Sequence, residues 1–81
     1  MRIQVRLFAV LRDAAGVSEV ELELPAGATA AAVGARLAER YPGIAKHLPR
    51  VAYAVNRDYA PAETPLREGD EVALIPPVSG G

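Results

Sequence analysis

Apolar and polar residues alternate in two stretches near the start of the chain, the pattern of strands that bury one face. Residues 1–7 place Met1, Ile3, Val5 and Leu7 on one face, and residues 18–24 place Val20, Leu22 and Leu24 inward with three glutamates outward. A short helical turn is predicted over residues 9–15, ended by Gly16 in a left-handed conformation. We therefore expect two antiparallel strands, with Phe8 on the outward face.

The middle of the chain has the spacing of an amphipathic helix. Val33, Leu37 and Tyr41 recur every four residues and form a narrow apolar stripe over residues 30–41. Thr29 is the predicted N-cap. Pro42 and Gly43 end the helix, and residues 44–50 are expected to be irregular because Pro49 interrupts them.

The second half of the chain predicts a short strand over residues 51–55, a tight turn at 56–58, a loop at 61–65 and a last strand at 71–75. The pattern does not assign the orientation of the 51–55 strand, because both of its faces carry small or apolar residues. The helix supplies the crossover that a parallel pairing of first and last strands needs. The prediction is an α+β fold of the β-grasp, ubiquitin-like kind, a mixed sheet packed by one main helix. The domain would span residues 1–75, and residues 76–81 would form an extended tail.

Composition narrows the functional classes. The chain has 81 residues, of which 51% are apolar and 23% charged, and its net charge is −1 with acidic and basic residues interleaved. This fits one globular domain and argues against nucleic acid as a partner. No apolar stretch suits a signal peptide or a membrane span, so no membrane partner and a cytoplasmic location are expected. The absence of cysteine excludes disulfides, thiolate metal sites and cysteine nucleophiles, and we expect no metal site.

No nucleophile–base pair is evident in the sequence. His47 is the single histidine and lies in a segment expected to be irregular, so we interpret it as a surface residue. Asp58 and Asp70 fall in predicted turns, and the glycines do not form a phosphate-binding loop. These features predict a carrier that is itself acted upon and has no catalytic machinery of its own.

The most informative segment is the tail, which reads Pro76, Pro77, Val78, Ser79, Gly80 and Gly81. The prolines lack N–H donors and favour an extended stalk, and glycines without Cβ atoms give a slim tip. At about 3.3–3.6 Å per residue the tail could reach roughly 20 Å. Such a segment suits insertion into a narrow pocket of a partner, and we take the α-carboxyl of Gly81 as the reactive group.

A carboxylate is a poor electrophile and must be activated before a nucleophile can attack it. Formation of an acyl-adenylate with ATP would provide a good leaving group. A sulfur nucleophile would then give a thiocarboxylate, and an amine would give an amide. The tail alone leaves both products open.

A docking surface is predicted beside the tail. If the first and last strands are parallel neighbours, Phe8 and Ile75 lie at the same end of the sheet, and Ala73 and Ile75 face outward as Phe8 does. An exposed apolar patch of this kind is typical of a partner-binding site.

The chain resembles the ubiquitin-like sulfur carriers, most closely the small subunits of molybdopterin synthase. The resemblance covers essentially the whole chain; it includes Leu7-Phe8-Ala9, Ala54-Val55-Asn56, and Gly69-Asp70-Glu71-Val72-Ala73 followed by the two prolines and the Gly-Gly end. It implies that an E1-like adenylating enzyme uses ATP on Gly81 and that a sulfur donor system then forms a thiocarboxylate. The carrier would bind no cofactor itself.

The same resemblance implies where the sulfur goes. The tail would enter the large subunit of molybdopterin synthase, which holds the catalytic side chains, and sulfur would pass to cyclic pyranopterin monophosphate to build the molybdopterin dithiolene. The complex would be a heterotetramer. The alternatives are a carrier for thiamine, tRNA thiolation or cysteine synthesis, a ubiquitin-like protein modifier, and an interaction domain with a passive tail.

Overall fold

A computed structural model describes residues 1–77 as a five-stranded mixed sheet with helices packed on one face. The strands are β1 (Arg2–Leu7), β2 (Glu19–Glu23), β3 (Ala52–Val55), β4 (Asp58–Ala60) and β5 (Glu71–Ile75). The α-helices are α1 (Ala9–Ala15) and α2 (Ala30–Arg40), and a 3₁₀ helix covers Pro42–Arg50.

The first two strands form the predicted antiparallel pair, with Arg2 opposite Glu23 and Arg6 opposite Glu19. Their inward residues are buried, as the alternation predicted. Glu19 and Glu23 lie opposite arginines and Glu21 lies opposite Gln4. The Nε atom of Arg2 is 3.5 Å from Glu21 and 3.6 Å from Glu23. These pairs are exposed to solvent, so each contributes little to stability.

The last strand lies in the centre of the sheet, whose order is β2-β1-β5-β3-β4. It runs parallel to β1, with Leu7 opposite Leu74, and antiparallel to β3 on its other side. The predicted crossover and the β-grasp fold are confirmed.

The core lies between the sheet and the helices. It is formed by side chains that are 6% exposed or less, which include Ile3, Val5, Leu7, Leu11, Val33, Leu37, Ile44, Val72 and Leu74. The predicted apolar stripe of α2 therefore faces the sheet, and Tyr41 at its end packs against the core while partly exposed.

The start of α2 is held differently from the sequence-based expectation. Thr29 occupies the N-cap position with extended backbone, but its side chain makes no capping hydrogen bond. Instead, the N–H groups of Ala30 and Ala31 donate to the carbonyl oxygens of Thr64 and Ala62, at 2.9 and 2.8 Å. Backbone carbonyls of the 61–65 loop therefore satisfy two of the free donors of the first turn.

The expectation of an irregular segment at 44–50 was wrong. Pro42 is at the first position of the 3₁₀ helix, where a missing N–H costs nothing. Ile44 is fully buried in the core and anchors the segment. Pro49 removes only its own donor, and the N–H of Val51 still bonds the carbonyl of Leu48 at 3.2 Å.

The orientation of β3, which the pattern left open, follows from its register. Tyr53 lies opposite Leu74 and Val55 opposite Val72, so both face the core side. Ala54 lies opposite Ala73 on the outer face of the sheet. The predicted turn between β3 and β4 is confirmed, with Asn56 and Arg57 at φ values of +50° and +73°, as a tight type I′ hairpin turn requires.

Candidate functional site

The central position of β5 determines where the tail leaves the domain. The strand ends at Ile75, as the two prolines predicted, and Pro76 is half-buried while Pro77 is exposed. Val78, Ser79, Gly80 and Gly81, including the predicted reactive carboxyl, lie outside the residues that the structure describes. The site that can be built here is therefore the surface around the base of the tail.

The outward-facing residues beside the tail are brought together as predicted. The pairing of Leu7 with Leu74 puts Phe8 level with Ile75, and Phe8, Ala73 and Ile75 line one hollow of about 310 Å³. We call this surface the outer patch; its other lining residues are Arg6, Ala54, Arg57, Tyr59 and Glu71. The predicted geometry is confirmed, while the binding role of these residues stays a prediction.

The outer patch includes most of the exposed large hydrophobic side chains of the described residues. Within residues 1–77, the large hydrophobic side chains that are exposed are Phe8 at 39%, Val10 at 41% and Tyr59 at 75%. Phe8 and Tyr59 belong to the outer patch, and Val10 lies beside Pro76 and Pro77. Exposed apolar side chains are therefore concentrated around the base of the tail, which supports the predicted docking surface.

Charged groups border the outer patch. The guanidinium of Arg6 lies 5.8 Å from the centre of the Phe8 ring, within cation–π range. Arg57 pairs with Glu71 at 3.8 Å. An aromatic centre with arginines at its border has the composition of a protein–protein interface.

Sequence reasoning missed Tyr59 and Ala54 as members of this surface. The register of β3 and β4 places Ala54 opposite Tyr59, so both belong to the outer face once β3 is oriented. The available signal was that Tyr59 directly follows a predicted hairpin turn. The face of the sheet on which Tyr59 lies could not be assigned, because the orientation of β3 was not known.

The remaining candidate groups do not assemble a catalytic centre. His47 is half-buried and lies near Pro76 and Pro77. Burial raises the pKa of the Tyr53 hydroxyl above its ordinary value, but Tyr53 faces the core side of the sheet. Among residues 1–77, no group of three or more His, Asp or Glu side chains could hold a metal ion. No helix in that range is long and apolar enough to cross a membrane.

Curated relatives of the chain share one name. The molybdopterin synthase sulfur carrier subunit of Chlamydomonas reinhardtii is 37% identical over 83 residues and covers 100% of both chains. The protein of the same name from Mycobacterium tuberculosis is 37% identical and covers 100% of this chain and 99% of its own length.

Solved structures agree with the fold. SAMP1 from Haloferax volcanii superposes with a TM-score of 0.89 at 27% identity, with both chains fully covered. The complex of subunits 1 and 2 of the molybdopterin-converting factor from Helicobacter pylori contains a chain that matches with a TM-score of 0.70 at 26% identity, again over 100% of both chains.

The sequence profile of the ThiS family matches residues 5–81, nearly the whole chain. The same assignment is supported by the β-grasp sheet, by the tail that leaves its central strand and by the relatives that match over their full length. The chain belongs to the ThiS family.

Proposed function

We propose that this chain is the sulfur carrier subunit of a molybdopterin synthase, with Gly81 as the residue that carries the sulfur. The observation that supports this most directly is the match to molybdopterin synthase sulfur carrier subunits over the full length of both chains. The tail leaves the central strand beside an exposed aromatic patch, which suits a domain that docks while its terminus reacts elsewhere.

The chemistry takes place on the Gly81 carboxyl in two steps. The carboxylate oxygen attacks the α-phosphate of ATP on an E1-like enzyme, giving an acyl-adenylate and releasing pyrophosphate. The terminal sulfur of a persulfide on the donor then attacks the carbonyl carbon and AMP leaves, which gives an acyl disulfide. A thiol reduces its S–S bond, so that the thiocarboxylate and the donor's thiol are released and the reducing thiol is oxidised to a disulfide. Because ATP drives the first step, we assign this chemistry to the cytoplasm.

The acceptor chemistry belongs to the large subunit. The thiocarboxylate sulfur would attack a carbon of cyclic pyranopterin monophosphate and displace an oxygen substituent. Water would then hydrolyse the resulting thioester, which leaves the sulfur on the substrate and returns Gly81 as a carboxylate; a dithiolene requires two such transfers. The domain contributes docking through Phe8, Ala73, Ile75 and Tyr59, of which the structure shows Phe8 and Tyr59 exposed. A match to a complex of the two subunits of a molybdopterin-converting factor supports a large-subunit partner, and a heterotetramer is the assembly we propose.

Removing the Gly81 carboxyl, or blocking it within a peptide bond, tests the proposal. Deletion of Gly81, or addition of one alanine after it, should abolish conversion of cyclic pyranopterin monophosphate to molybdopterin in a reaction reconstituted with the large subunit and the activating enzyme. The melting temperature should not change, because neither alteration touches the core. Wild-type protein should show the mass increase of sulfur replacing oxygen at Gly81.

Two results would contradict the assignment. The first is undiminished molybdopterin formation by the alanine-extended variant. The second is a wild-type chain that never acquires the sulfur-for-oxygen mass change in the presence of ATP and the activating enzyme.

A protein modifier is the second candidate, favoured by the close superposition on SAMP1, a small archaeal modifier protein. The same activated carboxyl would then be attacked by a lysine amine to give an isopeptide. Intact mass analysis from the native host separates the two: a ladder of heavier conjugates would indicate a modifier.

A further inference from the structure

A second hollow flanks the base of the tail, on the side opposite the outer patch. Its volume is about 360 Å³. We call it the basic groove; the lining residues used below are Val10, Lys46, His47, Arg50, Pro76 and Pro77. The two hollows meet at the tail, since Phe8 and Val10 are two residues apart and Ile75 precedes Pro76.

The 3₁₀ helix arranges the basic side chains along this groove. Side chains three residues apart eclipse one another in a 3₁₀ helix, so His47 and Arg50 lie on one side of it. Lys46 and Arg50 are both exposed. Buried Ile44 fixes the helix to the core, which holds these groups beside the stalk rather than on a loose loop.

The positive charge of the groove is not neutralised by the described part of the chain. Neither Lys46 nor Arg50 forms an ion pair with any residue in 1–77; the pairs found there involve other residues. The residues that line the groove lie within segments 7–12, 40–57 and 72–77, and none of these segments contains Asp or Glu. Asp13, the next acid along α1, pairs with Arg12.

A protein that receives the tail must cover this groove, because Pro76 and Pro77 form part of its wall. Covering Lys46 and Arg50 without opposite charge would remove them from water at a cost in free energy. Complementary charge instead speeds encounter and fixes orientation. The cover is therefore expected to be acidic.

We propose that the basic groove binds an acidic segment of the large synthase subunit, next to the entrance of the channel that takes the tail. This proposal rests on the proposed function. The outer patch would supply the apolar contact on one side of the stalk, and Lys46 and Arg50 would fix the rotation of the carrier about the stalk from the other side.

The phosphate of the adenylate is a poorer occupant. Gly81 is four residues beyond Pro77, so an extended tail carries the reacting carboxyl up to about 14 Å beyond the groove. A phosphate at that carboxyl would lie out of contact with Lys46 and Arg50, whereas a protein wall around the stalk would not.

Charge reversal tests the proposal on the full-length chain. Affinity for the purified large subunit is measured by titration calorimetry at low and high ionic strength, for Lys46→Glu, Arg50→Glu and the double variant. We expect each single change to weaken binding roughly tenfold at low salt, and the double variant to lose most of the salt dependence of the wild type. Thermal melting checks that all variants are folded.

Arg67→Glu is the matched control. It makes the same change in net charge, and Arg67 is exposed and precedes β5, at the end of the strand away from the tail. Its affinity should stay within about twofold of the wild type.

The proposal would be overturned if Lys46→Glu and Arg50→Glu bound as tightly as Arg67→Glu. It would also be overturned if the two variants slowed thiocarboxylate formation by the activating enzyme but left binding to the large subunit unchanged. A third contrary result would be that inorganic phosphate alone removes the salt dependence of wild-type binding to the large subunit. A failure of the proposed function itself would look different, because wild-type carrier would then not bind the large subunit at all.

Discussion

Gly34 lies on the buried face of α2, where the side chain of Tyr53 from the sheet approaches the helix. A Cβ atom built on Gly34 would be 2.8 Å from the Tyr53 hydroxyl and 3.3 Å from Cδ2 of Leu48. Such a distance to the hydroxyl is too short for real contacts, so an added Cβ atom would force the Tyr53 side chain to shift. The glycine is therefore favoured by packing and not by its backbone angles.

Replacing this glycine tests the close approach. Gly34→Ala should lower the free energy of unfolding by about 1–3 kcal/mol through overpacking, although alanine favours a helix by about 1 kcal/mol over glycine. In a Tyr53→Phe background the hydroxyl is gone, and the loss should shrink by about 1 kcal/mol. Urea denaturation of the wild type, the two single variants and the double variant gives the coupling free energy between Gly34→Ala and Tyr53→Phe. Equal effects of Gly34→Ala in both backgrounds would show that the hydroxyl is not the obstacle.

At the scale of elements, the two faces of β5 separate the core from the proposed docking surface. Val72 and Leu74 are fully buried in the core, whereas Ala73 and Ile75 line the outer patch. Because successive side chains of a strand point to opposite faces, neighbouring residues of one element serve different purposes. Substitutions one position apart should therefore have different consequences.

A charge placed on the outer patch should impair docking without unfolding the domain. Phe8→Asp or Ile75→Asp should weaken binding of the large subunit by at least about tenfold, since a buried unpaired carboxylate at an interface is costly. Ala35→Asp is the control, because Ala35 is exposed on α2. Binding is measured by calorimetry and folding by circular dichroism. A large drop in melting temperature for Phe8→Asp would mean that this side chain supports the core instead.

Most elements could be predicted because local patterns determine them. A sequence shows three such patterns without any knowledge of spatial contacts: the strict alternation in β1 and β2, the stripe of Val33 and Leu37, and the glycines and prolines at the turns. The pairing of β1 with β5 followed from the crossover rule. The geometry of the outer patch then followed from counting positions along two paired strands.

The missed features depend on distant contacts. Burial of Ile44 keeps the 3₁₀ helix in place despite Pro49, and the carbonyls of Ala62 and Thr64 replace the cap expected from Thr29. The face of β3 depends on its register with β5, so Tyr59 could not be placed on the outer patch. Each of these is set by packing between segments that are far apart in sequence, which no local pattern encodes.

At the scale of the whole molecule, the core is small and one strand holds much of it together. Domains of this length bury a modest fraction of their surface and are only marginally stable. Within residues 1–77, β5 pairs with β1 on one side and β3 on the other. Leu74 lies on β5 between these two strands and is fully buried.

Truncation of Leu74 should affect the entire domain. Leu74→Ala should cost about 2–5 kcal/mol by leaving a cavity, which corresponds to a drop in melting temperature of about 4–8 °C per kcal/mol for a domain of this size. Calorimetric melting measures the change. Val10→Ala, at an exposed position, should stay within about 0.5 kcal/mol of the wild type. A comparable loss from both substitutions would argue against the central role of β5.

The central place of β5 also bears on how the protein is made. Synthesis proceeds from the N-terminus at roughly 5–20 residues per second, so β1 is translated well before its parallel neighbour β5, which follows the other four strands in the chain. Until Glu71–Ile75 has left the ribosome, the sheet has a gap at its middle. The nascent chain thus completes the outer patch only when the residues next to the tail exist, so an unfinished copy would lack part of the surface with which we propose that the carrier binds its synthase partner.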